Sequence, residues 1–358
     1  MNRLESLGWN YYFQRQLQTN VETDLVPARV FEEQRGSLNL WWDRGACRAT
    51  VAGRLRHEAE SGAALPCVGD WVLARFPAGG GPDGAVVHRV LERRTRFSRQ
   101  EPGNRTAEQV VAANVDTVFL VQSLNRNFNV RRLERYLALL WESGAEPVVV
   151  LSKADLCADV VSQRGEVAEA AAGVTVLTVS ALLTDGLDPL LPYLTPGRTA
   201  ALVGSSGVGK STIVNRLAGA EIMATQEIRD EDDRGRHTTT SRRIVELPSG
   251  GLLLDTPGMR TVLLWEGEEG LSQTFEDVEA VASGCRFRDC THQSEPGCAV
   301  RAALREGTLD AGRYASYGKL QREVHYQARK ADVKLRLAEQ RKWKRIHMEM
   351  RRRPDKRG

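Results

Sequence analysis

No stretch of 18 or more apolar residues occurs in the 358-residue sequence, so it contains no candidate membrane span. Its opening, MNRLESLGWNYYFQRQLQ, carries charge throughout and lacks the apolar centre of a secretory signal, which predicts a soluble, cytoplasmic protein without a membrane partner. Cysteine is sparse. Six residues over this length do not make a disulfide framework, and three of them crowd into Cys285–Cys298, which suggests a metal before a redox role. A fourth absence concerns nucleotide. GSSGVGKST, Gly204 to Thr212, is a phosphate-binding loop, yet no base-reading NKxD element follows it. What is present can fill cores: 41% hydrophobic residues over a length suited to two or three domains.

Acidic charge is scarce at one end. The formal balance is +4, but from Arg313 onward 16 Lys and Arg face 5 Asp and Glu, a net +11 that leaves −7 for the rest. A basic tail on a mildly acidic body points to a polyanion partner; the plainer reading is a solvated charged helix.

Residues 1–27 read as a helical extension and linker. Over 28–102 short alternating runs (ARVFEEQ, LNLWWD, CRATVAGRL, DWVLARF, AVVHRVLERR) are separated by breaks such as PAGGGPDG, which predicts a five-stranded β-barrel of the oligonucleotide-binding (OB) type. Arg54, Arg56, Arg93, Arg94, Arg96 and Arg99 make one face basic or are ordinary surface charge. Over 103–270, VDTVFLVQSL, EPVVVLSKAD and VTVLTVSAL are apolar enough for strands buried on both faces, and VRRLERYLALLWESG and VVSQRGEVAEAAA have helical spacing. This strand–helix alternation predicts an α/β domain with a parallel sheet, and it runs unbroken into RTAALVG and the phosphate loop. Residues 271–358 read as an α-helical, metal-binding and basic C-terminal domain.

Gly204, Ser205, Ser206, Gly207, Val208, Gly209, Lys210 and Ser211 fit GxxxxGK[ST] at every position, and Thr212 continues into the helical STIVNRLAG. The glycines let backbone N–H groups turn inward on the phosphates, Lys210 reaches the terminal phosphates, and Ser211 ligates Mg²⁺. GLLLDTPG sets Asp255 at the end of a buried strand facing the Mg²⁺, with the Gly258 N–H placed to sense the γ-phosphate. The polar stretch between them, RDEDDRGRHTTTSRRIVELP, suits a switch loop. One threonine of Thr238–Thr240 should ligate Mg²⁺, and register from the next strand favours Thr239 or Thr240.

Upstream, Ser152-Lys153-Ala154-Asp155 follows a buried strand. A carboxylate there accepts both the N1–H and the exocyclic amine of guanine, donors that adenine does not offer in that arrangement. Lys153 would pack its stem along the base, and the Ser180–Ala181 backbone would reach guanine O6. Alone, Asp155 could be a surface helix cap; SAL 25 residues later in the same rhythm argues for the base reader. Ser152 replaces the usual Asn, which predicts fewer ties to the phosphate loop.

The order is therefore base reader, SAL, phosphate loop, switch, DTPG: a GTP/GDP site in rotated order. In this the chain resembles the circularly permuted GTPases of the RsgA (YjeQ) family. The likeness runs from VGDWV at Val68–Val72 through AANVD at Ala112–Asp116, the permuted motifs and GRHTTT at Gly235–Thr240 to the cysteine cluster, some 270 of 358 residues. It implies the small (30S) ribosomal subunit and its rRNA as partners, a role in late subunit maturation, and turnover stimulated by the subunit.

Met259 stands where a water-orienting Gln often follows DxxG, which predicts slow turnover until a partner completes the site. His237 is the candidate for the missing polar group. Cys285, Cys290, His292 and Cys298, spaced C-x4-C-x-H-x5-C, make a closed set for one structural Zn²⁺. Beyond them lies a long basic helix in which Tyr317, Tyr326 and Trp343 interleave the charges, as a nucleic-acid-facing surface requires. The expected state is a monomer. Two rivals stay open: an RNA-binding module that uses GTP or GDP as a structural or switch ligand with negligible turnover, and an unrelated P-loop ATPase or kinase.

Overall fold

The computed structural model describes residues 2–17, 24–34, 36–59, 61–79, 81–101, 104–125, 128–223, 242–255 and 268–326. The N-terminal barrel is built from β1 (Val26–Gln34), β2 (Ser37–Trp42), β3 (Gly45–Val51), β4 (Trp71–Arg75) and β5 (Asp83–Val90). Their order is β1-β2-β3-β5-β4, and β4 pairs back on β1 to close the barrel. Every second residue points inward, so Val30, Leu38, Leu40, Cys47, Ala49, Val72 and Val87 fill its centre. One expected strand is shorter than CRATVAGRL suggests. It ends at Val51, and Gly53–Glu58 forms a one-and-a-half-turn helix, α3, in which Arg54 and Glu58 pair at i,i+4 spacing, 2.7 Å apart.

The first residues do more than link. Between helices α1 (Arg3–Ser6) and α2 (Tyr11–Gln14) Leu7 and Trp9 turn to the interior, joined there by Phe13 of α2, and Trp9 meets Trp71 edge-on at 4.8 Å. Arg29 of β1 is fully buried beside them and donates to the carbonyls of Leu7 and Asn114. Burial pulls its pKa down to about 10. VGDWV and AANVD meet at this junction. A side chain at Gly69 would lie 2.0 Å from the Ala113 carbonyl, and Asn114 Nδ2 donates to the Gly69 carbonyl at 3.1 Å. Between barrel and α/β sheet runs a hairpin, β6 (Arg96–Glu101) and β7 (Asn104–Ala113).

The central sheet contains β8 (Thr117–Ser123), β9 (Glu146–Ser152), β10 (Thr175–Thr178), β11 (Thr199–Val203), β12 (Arg242–Glu246) and β13 (Leu252–Asp255). Its order is β10-β9-β8-β11-β13-β12, parallel except for β12. All seven residues of β8 are buried, as its apolar run predicts. Crossovers are made by α4 (Val130–Glu142) and α5 (Val160–Ala170). Asn129 caps α4, Leu133, Leu137 and Leu140 form its buried stripe, and Gly144 at φ +75° ends it. The edge strand β12 also pairs with β1, Glu32 opposite Arg243 and Glu33 opposite Arg242, which makes barrel and α/β sheet continuous.

The C-terminal unit comprises α7 (Glu268–Thr274), α8 (Glu276–Ser283), α9 (Ala299–Glu306) and a helical run over 311–326. Leu271, Phe275, Val278, Val300, Leu320 and Val324 pack there with Ala138 and Leu139 of α4. At Gly270, α7 comes so near α4 that a Cβ would lie 2.1 Å from the Ala138 carbonyl.

Candidate active site and metal centre

The phosphate loop leaves β11 at Gly204 and enters helix α6 (Lys210–Ala218). Gly204 has φ +151°, and a Cβ there would sit 2.2 Å from the Val121 carbonyl of β8, so only glycine fits. Gly207 and Gly209 also lie at positive φ. Val208 is buried beneath the loop, while Ser205, Ser206, Ser211 and Thr212 are not buried. Lys210 folds back over the loop, its Nζ donating to the carbonyls of Gly204 at 2.8 Å and Ser205 at 2.6 Å. No side chain caps α6. Phosphate oxygens are the natural acceptors for the N–H groups of such a helix start.

The upstream motif lies against this loop. Ser152 ends β9, two strands from β11 across β8, and its buried Oγ donates to the Val208 carbonyl at 2.6 Å. The shorter side chain keeps a direct tie, though a hydroxyl has one proton to give where an amide has two. Lys153 takes the left-handed conformation, φ +59°, and its Cε lies 3.9 Å from the Cβ position of Gly209. Asp155 accepts a 2.5 Å hydrogen bond from Ser180 Oγ, which joins the end of β9 to the turn after β10; Ala154 N–H bonds the Val179 carbonyl beside it. Ala181 follows on the same turn. Gly186 is a further requirement of this turn, since a Cβ there would fall 1.9 Å from the Ser180 carbonyl. Its signal in the sequence is TDG, a glycine where the turn doubles back.

Asp255 ends β13, one residue past Leu254, which pairs with Ala201 of β11. Its backbone is thus carried to the same sheet edge as the phosphate loop. His237, Thr238, Thr239, Thr240, Gly258 and Met259 lie outside the described residues, as does the basic tail from 327 with Trp343.

In the C-terminal unit the ligand atoms of Cys285, Cys290, His292 and Cys298 all lie within 4.8 Å of one another. Cys285 Sγ and Cys298 Sγ are 3.9 Å apart, and each is 3.5 Å from His292 Nδ1. A tetrahedral ion with bonds of about 2.3 Å to sulfur and about 2.0 Å to nitrogen requires separations of about 3.8 and about 3.5 Å. The donor set and its spacing therefore fit zinc. The start of α9 supports the thiolates: Cys298 Sγ accepts the Arg301 N–H at 3.4 Å.

This unit is clamped to the α/β domain by Arg313, which nothing in the sequence singled out. Its guanidinium is bidentate to Asp277 at 2.7 Å, meets the fully buried Glu134 of α4 at 3.0 Å, and donates to the carbonyls of Thr274 and Ala170. Its neighbour Tyr314 stands edge-on to the His292 ring, 6.3 Å between centroids.

A parallel sheet that carries a phosphate loop after its fourth strand in chain order, with the SKAD and SAL turns on earlier strands, defines a P-loop GTPase fold in circularly permuted order. Residues 90–265 match the family model described as RsgA GTPase. A small ribosomal subunit biogenesis GTPase RsgA from Opitutus terrae is 49% identical over 351 residues, 96% of each chain. One of the same description from Syntrophotalea carbinolica is 44% identical, covering 96% of this chain and 95% of its own. Among solved structures, YjeQ from Thermotoga maritima superposes with a TM-score of 0.63 at 25% identity over 84% of this chain and 98% of that one. The chain belongs to the RsgA GTPase family, and it is a GTPase.

Proposed function

We propose that this GTPase is an assembly factor that docks on the small (30S) ribosomal subunit and its rRNA late in maturation, with hydrolysis stimulated by the subunit. The observation that supports it most is the joining of SKAD to the phosphate loop through Ser152 and Val208, in a chain closely similar to relatives named for small-subunit biogenesis. In this reading Asp155 reads guanine, Ser180 and Ala181 flank the base, and Lys153 packs along it. The backbone of Gly204–Gly209 and Lys210 hold the phosphates, Ser211, Thr239 and Asp255 gather around Mg²⁺, and Gly258 senses the γ-phosphate. Magnesium supplies charge neutralisation at the transferred phosphate. His237 is assigned to the attacking water, since Met259 has no group to orient it.

The division into extension (1–27), OB barrel (28–102), permuted GTPase domain (103–270) and zinc-binding C-terminal domain (271–358) belongs to the same proposal. So do one structural Zn²⁺ on Cys285, Cys290, His292 and Cys298, a monomeric state and a cytoplasmic location. Among the described residues no helix is long and apolar enough to cross a membrane. Sedimentation with purified small subunits tests the reading. Co-sedimentation with a non-hydrolysable GTP analogue and release with GDP are expected, and binding indifferent to nucleotide would contradict it.

A further inference from the structure

The loop that carries His292 is organised by a carboxylate that is not itself a ligand. Glu295 receives the backbone N–H of Thr291 at 2.9 Å and the Thr291 hydroxyl on one oxygen. Its other oxygen receives the backbone N–H groups of Gln293 at 2.9 Å and Ser294 at 3.0 Å. The residues on both sides of His292 are therefore tied to one anion. His292 itself sits at φ +61°, a conformation that β-carbon-bearing residues avoid. Tying Thr291 on one side and Gln293 and Ser294 on the other holds this backbone, and with it the direction from which Nδ1 approaches Cys285 and Cys298. The Thr291 hydroxyl, with the backbone N–H groups of Glu295 itself, Thr291 and Ser294, holds the Glu295 carboxyl far below its ordinary value, down to about 2, so it stays an acceptor at any working pH.

We propose that Glu295 is the positioning residue of the metal centre: it preorganises the left-handed turn that presents His292, so that metal binding need not order the loop. The inference rests on the zinc reading above. A glutamine is the informative replacement, because it keeps the size but exchanges one acceptor oxygen for an amide N–H₂. Either the Thr291 donors or the Gln293 and Ser294 donors then face another donor.

The test uses the full chain. Wild type and Cys290→Ser are first compared for zinc content by elemental analysis; one zinc per wild-type chain, lost in Cys290→Ser, is the expected result. A metal-free wild type would overturn the zinc reading itself. Zinc affinity of Glu295→Gln is then measured by competition with a chromophoric chelator, and the cobalt-substituted protein is examined by visible absorption. Expected are a loss of about 10–100-fold in affinity, the range for partners of metal ligands, and altered ligand-field bands. The melting temperature at saturating zinc should stay near that of wild type, since the apolar core of the unit is untouched. Affinity within about twofold of wild type with an unchanged cobalt spectrum would overturn the proposal. Should Glu295→Gln fail to fold, Thr291→Val, which removes only the hydroxyl donor, reads the same quantity. A smaller loss of zinc affinity is then expected, and none would be the contrary result.

Discussion

Gly204 and Asp155 are the residues through which the nucleotide site is most directly tested. At Gly204 the obstacle to any side chain is backbone, the Val121 carbonyl of the neighbouring strand, so the loop cannot yield locally. Gly204→Ala should weaken GDP binding by about tenfold or more, given strain on the order of 1–3 kcal/mol at such positions. Calorimetric titration would register it, and unchanged affinity would place the phosphates elsewhere. At Asp155 the expectation concerns choice of base. Asp155→Asn should lose about 10–100-fold in GTP affinity, the worth of about 1–3 kcal/mol of unsatisfied pairing, while ATP affinity stays as it was. The Ser180 hydroxyl already holds this carboxylate in place, so the penalty reads recognition rather than loop collapse.

At the level of elements, the helical run over 311–326 joins two units through Arg313. Glu134 is fully buried on α4 between Arg313 at 3.0 Å and Arg131 at 2.6 Å, so removing Arg313 leaves it one cation but strips the Thr274 and Ala170 carbonyls of their donor. Arg313→Ala should therefore destabilise the protein by about 1–3 kcal/mol, seen as a lower denaturant midpoint. The same clamp sets a pH dependence. Burial pushes the Asp277 carboxyl up, but its hydrogen bonds with Arg313 outweigh that and hold it below its ordinary value. A depressed carboxyl binds fewer protons folded than unfolded. Its contribution is thus present above the ordinary carboxylate range and lost as pH falls through the folded pKa. Between about pH 5 and 3 the melting temperature of wild type should fall more steeply than that of Asp277→Asn. Parallel slopes would show that the pair contributes nothing. Sequence reading had found the elements here but not the clamp, because an arginine among many in a basic segment looks like surface charge until its partners on α4, α5 and α8 are brought together. Strands are legible where burial is uniform: β8 announces itself by the apolar run Val118–Val121. The β6–β7 ribbon is polar over most of its length, with residues such as Arg96, Gln109 and Glu108, and turns apolar only at its end, Val110–Ala113, while Gly53–Glu58 continues an alternating pattern into a helix.

Over the whole molecule the permutation matters more than any single motif. SKAD, SAL and the phosphate loop were legible because each combines an apolar strand with a short polar turn. Their mutual contact through Ser152, Val208 and Lys153 follows from the parallel order β9-β8-β11, which no motif spells out. The pairing of β12 with β1 was not legible at all, since Glu32, Glu33, Arg242 and Arg243 lie about 210 residues apart and match only once both sheets exist. Through it the barrel is hydrogen-bonded to the strand next to β13, which ends in Asp255. Removing metal should act more locally. A chelator is expected to open 285–298 to protease while leaving GDP affinity of the α/β domain within about twofold, because zinc modules draw their folding energy from the ion. Resistance to cleavage after chelation would refute a structural metal. The central claim, a GTPase completed by the small ribosomal subunit, is tested most directly by the GTP hydrolysis rate of the full chain with small subunits, large subunits or free RNA. The account predicts slow turnover alone and acceleration of about tenfold or more by small subunits only, since a partner that completes a GTPase site supplies large factors. A rate unchanged by small subunits would contradict it.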